Sequence, residues 1–329
     1  MSKQRGWRAL SLERIPGMKR PSRVCLGTAP FGTGIERDAA FAVMDAFFEG
    51  GGNFIDTAHV YGAWAPDGAG ASERTVGEWL RVRGVRDETV VGTKGAHPPL
   101  GDMSVGRCRP EDVEQDLAES LERLGTDRVD VYWLHRDDPR VPAGEIIDGL
   151  ARFARQGRIR CYGASNWRPE RIEEAQEWAE AHGVAPFVAS QAAWSLADSR
   201  PGGGGTAIVD EPFQRWHCAT GLTAVPYSSQ GRGYFSEANA AWARAGFPGK
   251  PPTTPGLDSP VNRARLARAT ELAGRKGCTA NQVALAYLMA QPFPVYPIIG
   301  TSTPDHAVEA LGATAVSLSE EERDWLTAS

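Results

Sequence analysis

Three polar residues at the ends of short apolar segments, and a tyrosine in the loop after one of them, have side chains suited to proton transfer. Asp56 ends the segment NFID, and Tyr61 follows in the sequence TAHVYG. Lys94 ends VVGTK, and His135 ends VDVYWLH. Polar groups at strand ends add little to a core, but strand ends and the loops after them hold the chemistry at the mouth of a barrel. The pattern therefore predicts that the four side chains meet at one site.

These four residue types predict a particular kind of chemistry. A phenol with a pKa of about 10 is an available proton donor, and a neighbouring ammonium is expected to lower the pKa of Tyr61 towards neutrality. A buried Lys94 needs a counter-charge, which Asp56 can supply. His135 can donate a hydrogen bond to a substrate oxygen or share the proton. Such a site protonates an oxygen as it gains negative charge, as in carbonyl reduction when hydride reaches the carbon.

Each residue alone has a simpler explanation. Asp56 could cap the loop that follows it, Lys94 could be a solvated strand end, and Tyr61 could pack within its loop. His135 alone is better explained as a core histidine. The joint placement of all four after three successive strands favours the functional interpretation.

The elements that must position these residues alternate along the whole chain. Short apolar segments are followed by amphipathic ones, which indicates parallel strands covered by helices. Eight such units predict an α/β fold with a closed (β/α)8 barrel, also called a TIM barrel. The doubly wound alternative is disfavoured because the first loop, GTAPFGTG, is not GxGxxG. Predicted strands occupy 23–27, 53–56, 89–93, 130–135, 159–163, 187–191, 222–226 and 295–299, and predicted helices occupy 39–50, 72–82, 110–124, 144–156, 169–182, 211–219, 262–276, 280–290 and 304–311.

Several features lie outside the repeating unit. We expect residues 1–329 to form a single domain with an N-terminal β-hairpin at 8–18 and a C-terminal helix beginning near Ser319. Ser72 is expected to cap the helix that starts there. The glycine-rich segment 192–209 is predicted to be a flexible surface loop. The long segment 228–260 is predicted to cover the mouth, because loops of that length usually serve as lids or binding loops.

Composition narrows the class of protein. The chain has 329 residues, 41% hydrophobic residues and a net charge of -5, which indicates a globular protein and gives no support for nucleic-acid binding. Its five cysteines are scattered without a CxxC or Cys/His cluster, so free thiols are expected and no metal site is. Neither a signal peptide nor a membrane-spanning segment is predicted. We therefore expect a cytoplasmic protein that acts on a small molecule, in an oligomeric state that the sequence leaves open.

Together these motifs resemble the aldo-keto reductase superfamily along essentially the whole chain. The resemblance implies an NAD(P)H-dependent oxidoreductase that reduces an aldehyde or ketone. It implies Tyr61 as the general acid, with Lys94 and Asp56 tuning it and His135 orienting the carbonyl. The matching pieces are LGTAPFG at 26–32, NFIDTAHVYG, SE at 72–73, VVGTKG at 90–95, VDVYWLH, YGASN at 162–166, Gln191 and PYSSQGRG at 226–233.

The same resemblance implies a cofactor groove and a substrate pocket. Ser165, Asn166 and Gln191 match contacts to the nicotinamide carboxamide, and Tyr227 matches the aromatic residue that stacks on the nicotinamide ring. The loop after Tyr227 matches one that folds over the pyrophosphate. The further residues predicted to bind the cofactor are Gly27, Thr28, Asp56, Ser228, Gln230, Gly231, Arg232, Gly300, Thr301, Ser302 and His306. Phe31, Trp64 and Trp194, with His135, are predicted to line the substrate pocket.

The last segment, YPIIGTSTPDHAVEAL, departs from the family pattern. Gly300, His306 and Ala310 stand where the best-known members have lysine, arginine and asparagine beside the adenosine 2'-phosphate. Thr301 and Ser302 can still donate hydrogen bonds to a phosphate. The resemblance favours NADP(H), and the departures leave NAD(H) possible.

Two other functions are compatible with parts of this pattern. Some relatives of this fold are cofactor-binding regulatory proteins with slow turnover, and intact catalytic residues do not exclude that role. A lyase that forms a Schiff base through Lys94 is a third possibility. It needs no nicotinamide, and the matches at Gln191 and Tyr227 argue against it.

Overall fold

The computed structural model describes residues 12–199 and 205–328 and contains an eight-stranded parallel sheet. The strands lie in the order β7-β6-β5-β4-β3-β2-β1-β8. Each is two to seven residues long, which is typical of barrel staves covered by helices. They are β1 (Cys25–Gly27), β2 (Phe54–Asp56), β3 (Val90–Gly95), β4 (Val129–Leu134), β5 (Ile159–Ser165), β6 (Ala189–Gln191), β7 (Thr223–Ala224) and β8 (Ile298–Ile299).

The sheet curls until its two end strands meet. β1 pairs with both β2 and β8. A parallel bridge joins Ala224, at the end of β7, to Val295 just before β8, and the Tyr296 amide donates to the Ala224 carbonyl at 2.9 Å. The predicted (β/α)8 barrel is confirmed. Closure brings the carboxyl ends of all eight strands to one rim.

Eleven helices are present in the described part of the chain, and all the predicted helices are among them. The N-terminal residues explain several of their boundaries. Pro110, Pro169, Pro260 and Pro304 occupy first helical positions. The helices are α1 (Arg37–Glu49), α2 (Ala71–Arg83), α3 (Pro110–Leu124), α4 (Ala143–Arg155), α5 (Pro169–His182), α6 (Glu211–Thr220), α7 (Glu237–Arg244), α8 (Pro260–Lys276), α9 (Ala280–Met289), α10 (Pro304–Leu311) and α11 (Glu320–Thr327).

The barrel interior below the mouth is packed around Trp133. Glycines in the flanking strands make room for its ring. A Cβ on Gly163 would lie 2.5 Å from the ring, and a Cβ on Gly92 would lie 3.0 Å from the indole nitrogen. Leu12 and Ile15 belong to the same buried cluster. The interior is therefore a solid core beneath the rim.

Three expectations about local structure need correction. The predicted hairpin falls partly on residues 8–11, which lie outside the described residues, and Leu12–Arg14 forms a 3-10 turn in place of a strand. Ser72 does not cap α2, because Gly70 stands at the cap and the Ser72 hydroxyl is buried in a separate network. The segment 228–260 was predicted as one long loop, but it contains the helix α7. The Trp242 side chain of this helix is buried. In the glycine-rich segment 192–209, Gly205 lies within the residues that the structure describes, and residues 202–204 lie outside them.

No helix in the described ranges is long and apolar enough to cross a membrane.

Candidate active site

Lys94 lies at the centre of the barrel mouth and has a partner for each of its three ammonium hydrogens. It donates to Asp56 Oδ2 at 2.5 Å, to the Thr57 carbonyl at 2.7 Å and to the Tyr61 hydroxyl at 3.1 Å. Both charged side chains are nearly fully buried. β2 and β3 pair in parallel, with Asp56 opposite Gly92, so Asp56 and Lys94 lie at the same rim. Gln191, at the end of β6, donates to the other oxygen of Asp56 at 3.0 Å.

Burial and pairing pull the pKa values of this pair in opposite directions. Burial raises the pKa of Asp56, and Lys94 and Gln191 offset part of that rise. Burial alone lowers the pKa of Lys94, but the charges of Asp56 and Tyr61 outweigh it and leave that pKa raised. Lys94 is therefore a cation at neutral pH. A buried cation held by three acceptors is a fixed positive charge and a poor nucleophile.

Tyr61 lies in the loop after β2, over the ammonium of Lys94. The nitrogen is 4.6 Å from the ring centroid as well as 3.1 Å from the hydroxyl. Burial raises the pKa of Tyr61, and Lys94 opposes that rise without reversing it. The expectation that Lys94 lowers this pKa towards neutrality is wrong, because desolvation of the phenolate is the larger effect. Tyr61 therefore keeps its proton at neutral pH.

His135 follows β4 directly and faces Tyr61. The two ring centroids are 5.9 Å apart and nearly perpendicular. Burial, together with the positive charges of Lys94, His97 and Arg136, holds the pKa of His135 well below its usual value. The ring is thus neutral at pH 7 and has one N–H to donate. Its Nδ1 atom is buried and has no hydrogen-bond partner in the part of the chain that the structure describes.

A buried hydroxyl cluster supports the strand that carries Asp56. Ser72 Oγ, from α2, lies 2.8 Å from Thr57 Oγ1 and donates to the Thr28 carbonyl at 2.7 Å. Thr28 Oγ1 donates to the Asp56 carbonyl at 3.1 Å. Thr28 is fully buried, so its hydroxyl serves this cluster. Gly27, opposite Asp56 in the ladder, allows close approach of β8, since a Cβ there would lie 2.8 Å from Ile298.

The predicted carboxamide contacts form one bonded group beside His135. Asn166 donates to the His135 carbonyl and to Ser165 Oγ, each at 3.1 Å. Ser165 Oγ donates to Gln191 Oε1 at 3.3 Å. The Tyr227 hydroxyl donates to Asn166 Oδ1 at 2.7 Å. Asn166 has a φ of 62°, a left-handed conformation that turns its amide into the mouth.

The loop after Tyr227 forms a cavity of about 280 Å³ at the next position along the rim. Ser228, Gly231 and Arg232 line it, and all three have positive φ values of 54–57°. Two of the three are not glycine, and such backbone strain tends to occur at ligand sites. The Arg232 side chain is exposed and has no ion pair within the described ranges. A curved loop with a free guanidinium suits an anionic ligand.

The far end of the groove is a second cavity of about 280 Å³ between α9 and α10. Gln230 Oε1 accepts from the Gly300 amide at 3.0 Å. Asn281 donates to Glu309 Oε2 at 2.8 Å. The Thr301 hydroxyl accepts a hydrogen bond from the Thr303 amide, while Ser302 and His306 are exposed. No lysine or arginine lines this cavity among the residues described.

The three predicted pocket aromatics lie in different surroundings. Trp64 is 55% exposed, and its ring lies 6.1 Å from that of Tyr61. Phe31 is fully buried in the main core cluster and offers no surface to a substrate, so the structure does not support its predicted role. Trp194 is 5% exposed and stacks on Phe293. Only Trp64 of the three stands beside the predicted proton donor.

Sequence reasoning missed two residues of the mouth. The His97 ring lies 4.8 Å from that of His135. Arg136 carries a charge that lowers the pKa values of both histidines. Both follow predicted site residues closely in the chain, His97 three positions after Lys94 and Arg136 one after His135. Their closeness in sequence to Lys94 and His135 is the signal that could have identified them.

Comparison with known proteins agrees with this geometry. The model of the aldo/keto reductase family matches residues 23–328. Norsolorinic acid reductase stcV of Emericella nidulans is 30% identical over 92% of this chain and 76% of its own. The uncharacterized oxidoreductase YrpG of Bacillus subtilis is 31% identical over 92% of this chain and 90% of its own. The crystal structure of the thermostable aldo-keto reductase Tm1743 with the inhibitor epalrestat superimposes with a TM-score of 0.70 at 25% identity, covering 98% and 99% of the two chains.

Proposed function

The chain belongs to the aldo/keto reductase family, and on that premise we propose that it reduces an aldehyde or ketone to the alcohol with a reduced nicotinamide cofactor. The observation that carries the proposal is the bonded set of Tyr61, Lys94 and Asp56 beside a neutral His135. Its relatives are oxidoreductases by name. We further propose that residues 1–329 form one catalytic domain. A cytoplasmic location remains a prediction.

In the proposed reaction, the carbonyl oxygen lies between the Tyr61 hydroxyl and the His135 N–H. A bound dihydronicotinamide would supply a hydride to the carbonyl carbon. As the C=O π bond breaks, Tyr61 transfers its proton to the oxygen, and the alcohol forms. Lys94 stabilises the phenolate that remains, and Asp56 balances the charge of Lys94. Solvent then returns one proton to Tyr61.

The residues of the groove suit a dinucleotide in an extended conformation. Ser165, Asn166 and Gln191 would hold the carboxamide, and Tyr227 would lie against the nicotinamide ring. Ser228 and Arg232 would face the pyrophosphate, because their strained loop forms a concave anion site. Gln230, Gly300, Thr301, Ser302 and His306 would surround the adenosine end. Because the chain resembles NADP(H)-dependent members of the family, we propose NADP(H) as the preferred cofactor, with NAD(H) accepted as well.

The two alternative functions differ in their support. Formation of a Schiff base needs a neutral amine, whereas Lys94 is a triply bonded cation with a raised pKa. The geometry therefore disfavours the lyase. A slow regulatory protein with bound cofactor has no specific observation in its favour, and only a rate can separate it from the reductase.

The test combines binding and turnover in one preparation. Titration with NADPH and NADH, followed by quenching of tryptophan fluorescence, should give saturable binding of at least one of them. A panel of aromatic and aliphatic aldehydes should then oxidise that cofactor catalytically, followed at 340 nm. Binding without steady turnover of any aldehyde would favour the regulatory protein. Binding of neither cofactor, with a borohydride-trapped adduct on Lys94, would favour the lyase.

A further inference from the structure

Arg136 is a cation at the mouth of the barrel for which neither the proposed reaction nor the fold supplies a counter-charge. Its side chain is partly buried, and its Nε atom is buried without a hydrogen-bond partner among the described residues. No ion pair to Arg136 is formed within the described ranges. The adjacent carboxylates are engaged elsewhere, Asp137 with Arg171 and Asp138 with Arg140. The guanidinium is hydrogen-bonded to the Tyr227 hydroxyl, which is neutral and leaves the charge uncompensated. A half-buried cation without a counter-charge is costly to the free protein and suggests a missing anionic partner.

The charge of Arg136 acts on the groups that would surround a bound carbonyl compound. It opposes the rise in the pKa values of Tyr61 and Tyr227, and it lowers those of His97 and His135. These four side chains come from the loops after β2, β3, β4 and β7. The Arg136 guanidinium is therefore close to all four side chains, and it is hydrogen-bonded to Tyr227.

A cleft of about 620 Å³ leads from Arg136 to the surface. Pro98, Met103, Asn166 and Arg168 line it, and so do the carboxylates of Asp137, Glu170 and Glu174. Asp137 and Glu174 are paired with Arg171, and Arg168 is exposed. The cleft thus reaches Asn166 at the catalytic mouth and contains the Arg136 guanidinium, which has no ion pair within the described ranges. Arginine binds carboxylates in a planar, two-bonded geometry that fits this position.

We propose that Arg136 binds a carboxylate on the substrate, so that the preferred substrates are aldehydes or ketones that also carry a carboxylate group. This inference rests on the proposed reductase function and specifies its substrate class. The carbonyl lies at Tyr61 and His135, and the carboxylate lies at Arg136 within the cleft. Arg136 is a substrate-binding residue in this arrangement and takes no part in proton or hydride transfer.

The experiment compares matched substrates that differ in charge. The probes are 2-, 3- and 4-carboxybenzaldehyde, each beside its neutral methyl ester, so that the ring scans three distances between the two groups. Wild-type protein should show a higher kcat/KM for at least one acid than for its ester. In Arg136→Met that ratio should fall about tenfold or more, as for loss of a charge-assisted hydrogen bond. Arg136→Lys should retain part of it.

Two controls separate this role from a structural one. Arg140→Met removes an exposed arginine four positions away, already paired with Asp138, and should leave the acid-to-ester ratio unchanged. The dissociation constants of NADPH and NADH, measured by fluorescence quenching, should be the same in Arg136→Met as in wild type. Tenfold weaker cofactor binding in that variant would assign Arg136 to the cofactor and overturn the inference.

The remaining outcomes distinguish failure of the inference from failure of the proposed function. Turnover of the esters with no preference for any acid, or an equal loss for acid and ester in Arg136→Met, overturns the carboxylate site while the reductase function stands. Absence of turnover with every aldehyde overturns the reductase function, and the inference falls with it.

Discussion

The two ends of the groove differ in how their polar groups are satisfied. At the reactive end, Lys94 and Asp56 are nearly fully buried and bonded to one another and to their neighbours. At the adenosine end, Ser302 and His306 are exposed, and the cavity has no lysine or arginine within the described ranges. The polar groups of the reactive end are hydrogen-bonded within the protein without a ligand. Those of the proposed adenosine end are available to a ligand or to solvent. Substitutions at the first should therefore change chemistry and stability, and substitutions at the second should change affinity alone.

The largest effect is expected at the proposed proton donor. Tyr61→Phe removes only the hydroxyl and retains the ring over Lys94. Loss of a general acid lowers rates by about 10²–10⁴, so kcat for aldehyde reduction should fall by that factor. Because Tyr61 faces the carbonyl, the dissociation constant of the cofactor should stay nearly constant. Steady-state kinetics and fluorescence titration measure the two quantities. Retention of most activity would show that another group donates the proton.

The buried pair predicts the largest change in stability. Lys94→Met leaves Asp56 buried without its counter-charge and with Gln191 as its remaining side-chain donor. Breaking a buried ion pair on one side costs about 3–5 kcal/mol, which urea unfolding would measure. Thr301→Ala at the adenosine end should change the free energy of unfolding by about 0.5 kcal/mol or less.

A second variant isolates the unpaired charge. Lys94→Met combined with Asp56→Asn removes both charges and keeps an acceptor for Gln191. The double variant should recover a large part of the stability lost by Lys94→Met, while remaining inactive. If it is as unstable as the single variant, the loss comes from packing and not from the uncompensated carboxylate.

Part of the pH dependence of stability should also originate at the reactive end, beside that of the buried His217, whose pKa burial lowers to about 4. The pKa of His135 is depressed in the folded protein, and an unfolded histidine binds a proton below about pH 6.5. Between those values the unfolded state binds more protons, so stability falls as pH drops. The slope is about 1.4 kcal/mol per pH unit for one such group. His135→Gln should therefore lose less stability than wild type between pH 7.5 and 5.5 in urea unfolding. Equal losses would mean that His135 takes up its proton in the folded state.

The same contrast explains what the sequence could predict. The positions of Asp56, Lys94 and His135 at strand ends could be predicted because each follows an apolar segment in a series of parallel strands. Not all of the hydrogen bonds and ion pairs that these residues form could be predicted from the sequence. The direction of the pKa shift at Tyr61 depends on how deeply its phenol is buried, a property of the assembled rim. Phe31 illustrates the same limit, since a loop aromatic can turn into the core as readily as towards a substrate.

Local rules also failed where tertiary contacts override them. Ser72 has a capping residue type near a helix start, but its hydroxyl bonds Thr28 and Thr57 across the rim. α7 was missed because it lies inside a segment rich in glycine and proline, which was interpreted as a loop. Arg136 was missed because one arginine beside a histidine has no periodicity to mark it. Only the three-dimensional arrangement shows that Arg136 has no ion pair within the described ranges.

The smallest expected effect is at the adenosine end, and it tests whether that end is adjustable. Gly300 has no positive φ, and a Cβ there would meet no heavy atom within 4 Å, so a side chain fits without strain. Gly300→Lys adds a cation at the position where the family pattern has one. An exposed charge-assisted contact to a phosphate should tighten NADPH binding by about tenfold. NADH, which lacks the 2'-phosphate, should bind as in wild type, and the free energy of unfolding should not change.

Gly300→Met is the matched control, because it adds similar bulk without charge. Equal tightening of NADPH by both variants would mean that bulk and not charge acts there. A loss of stability in both would mean that the adenosine end is as tightly constrained as the reactive end.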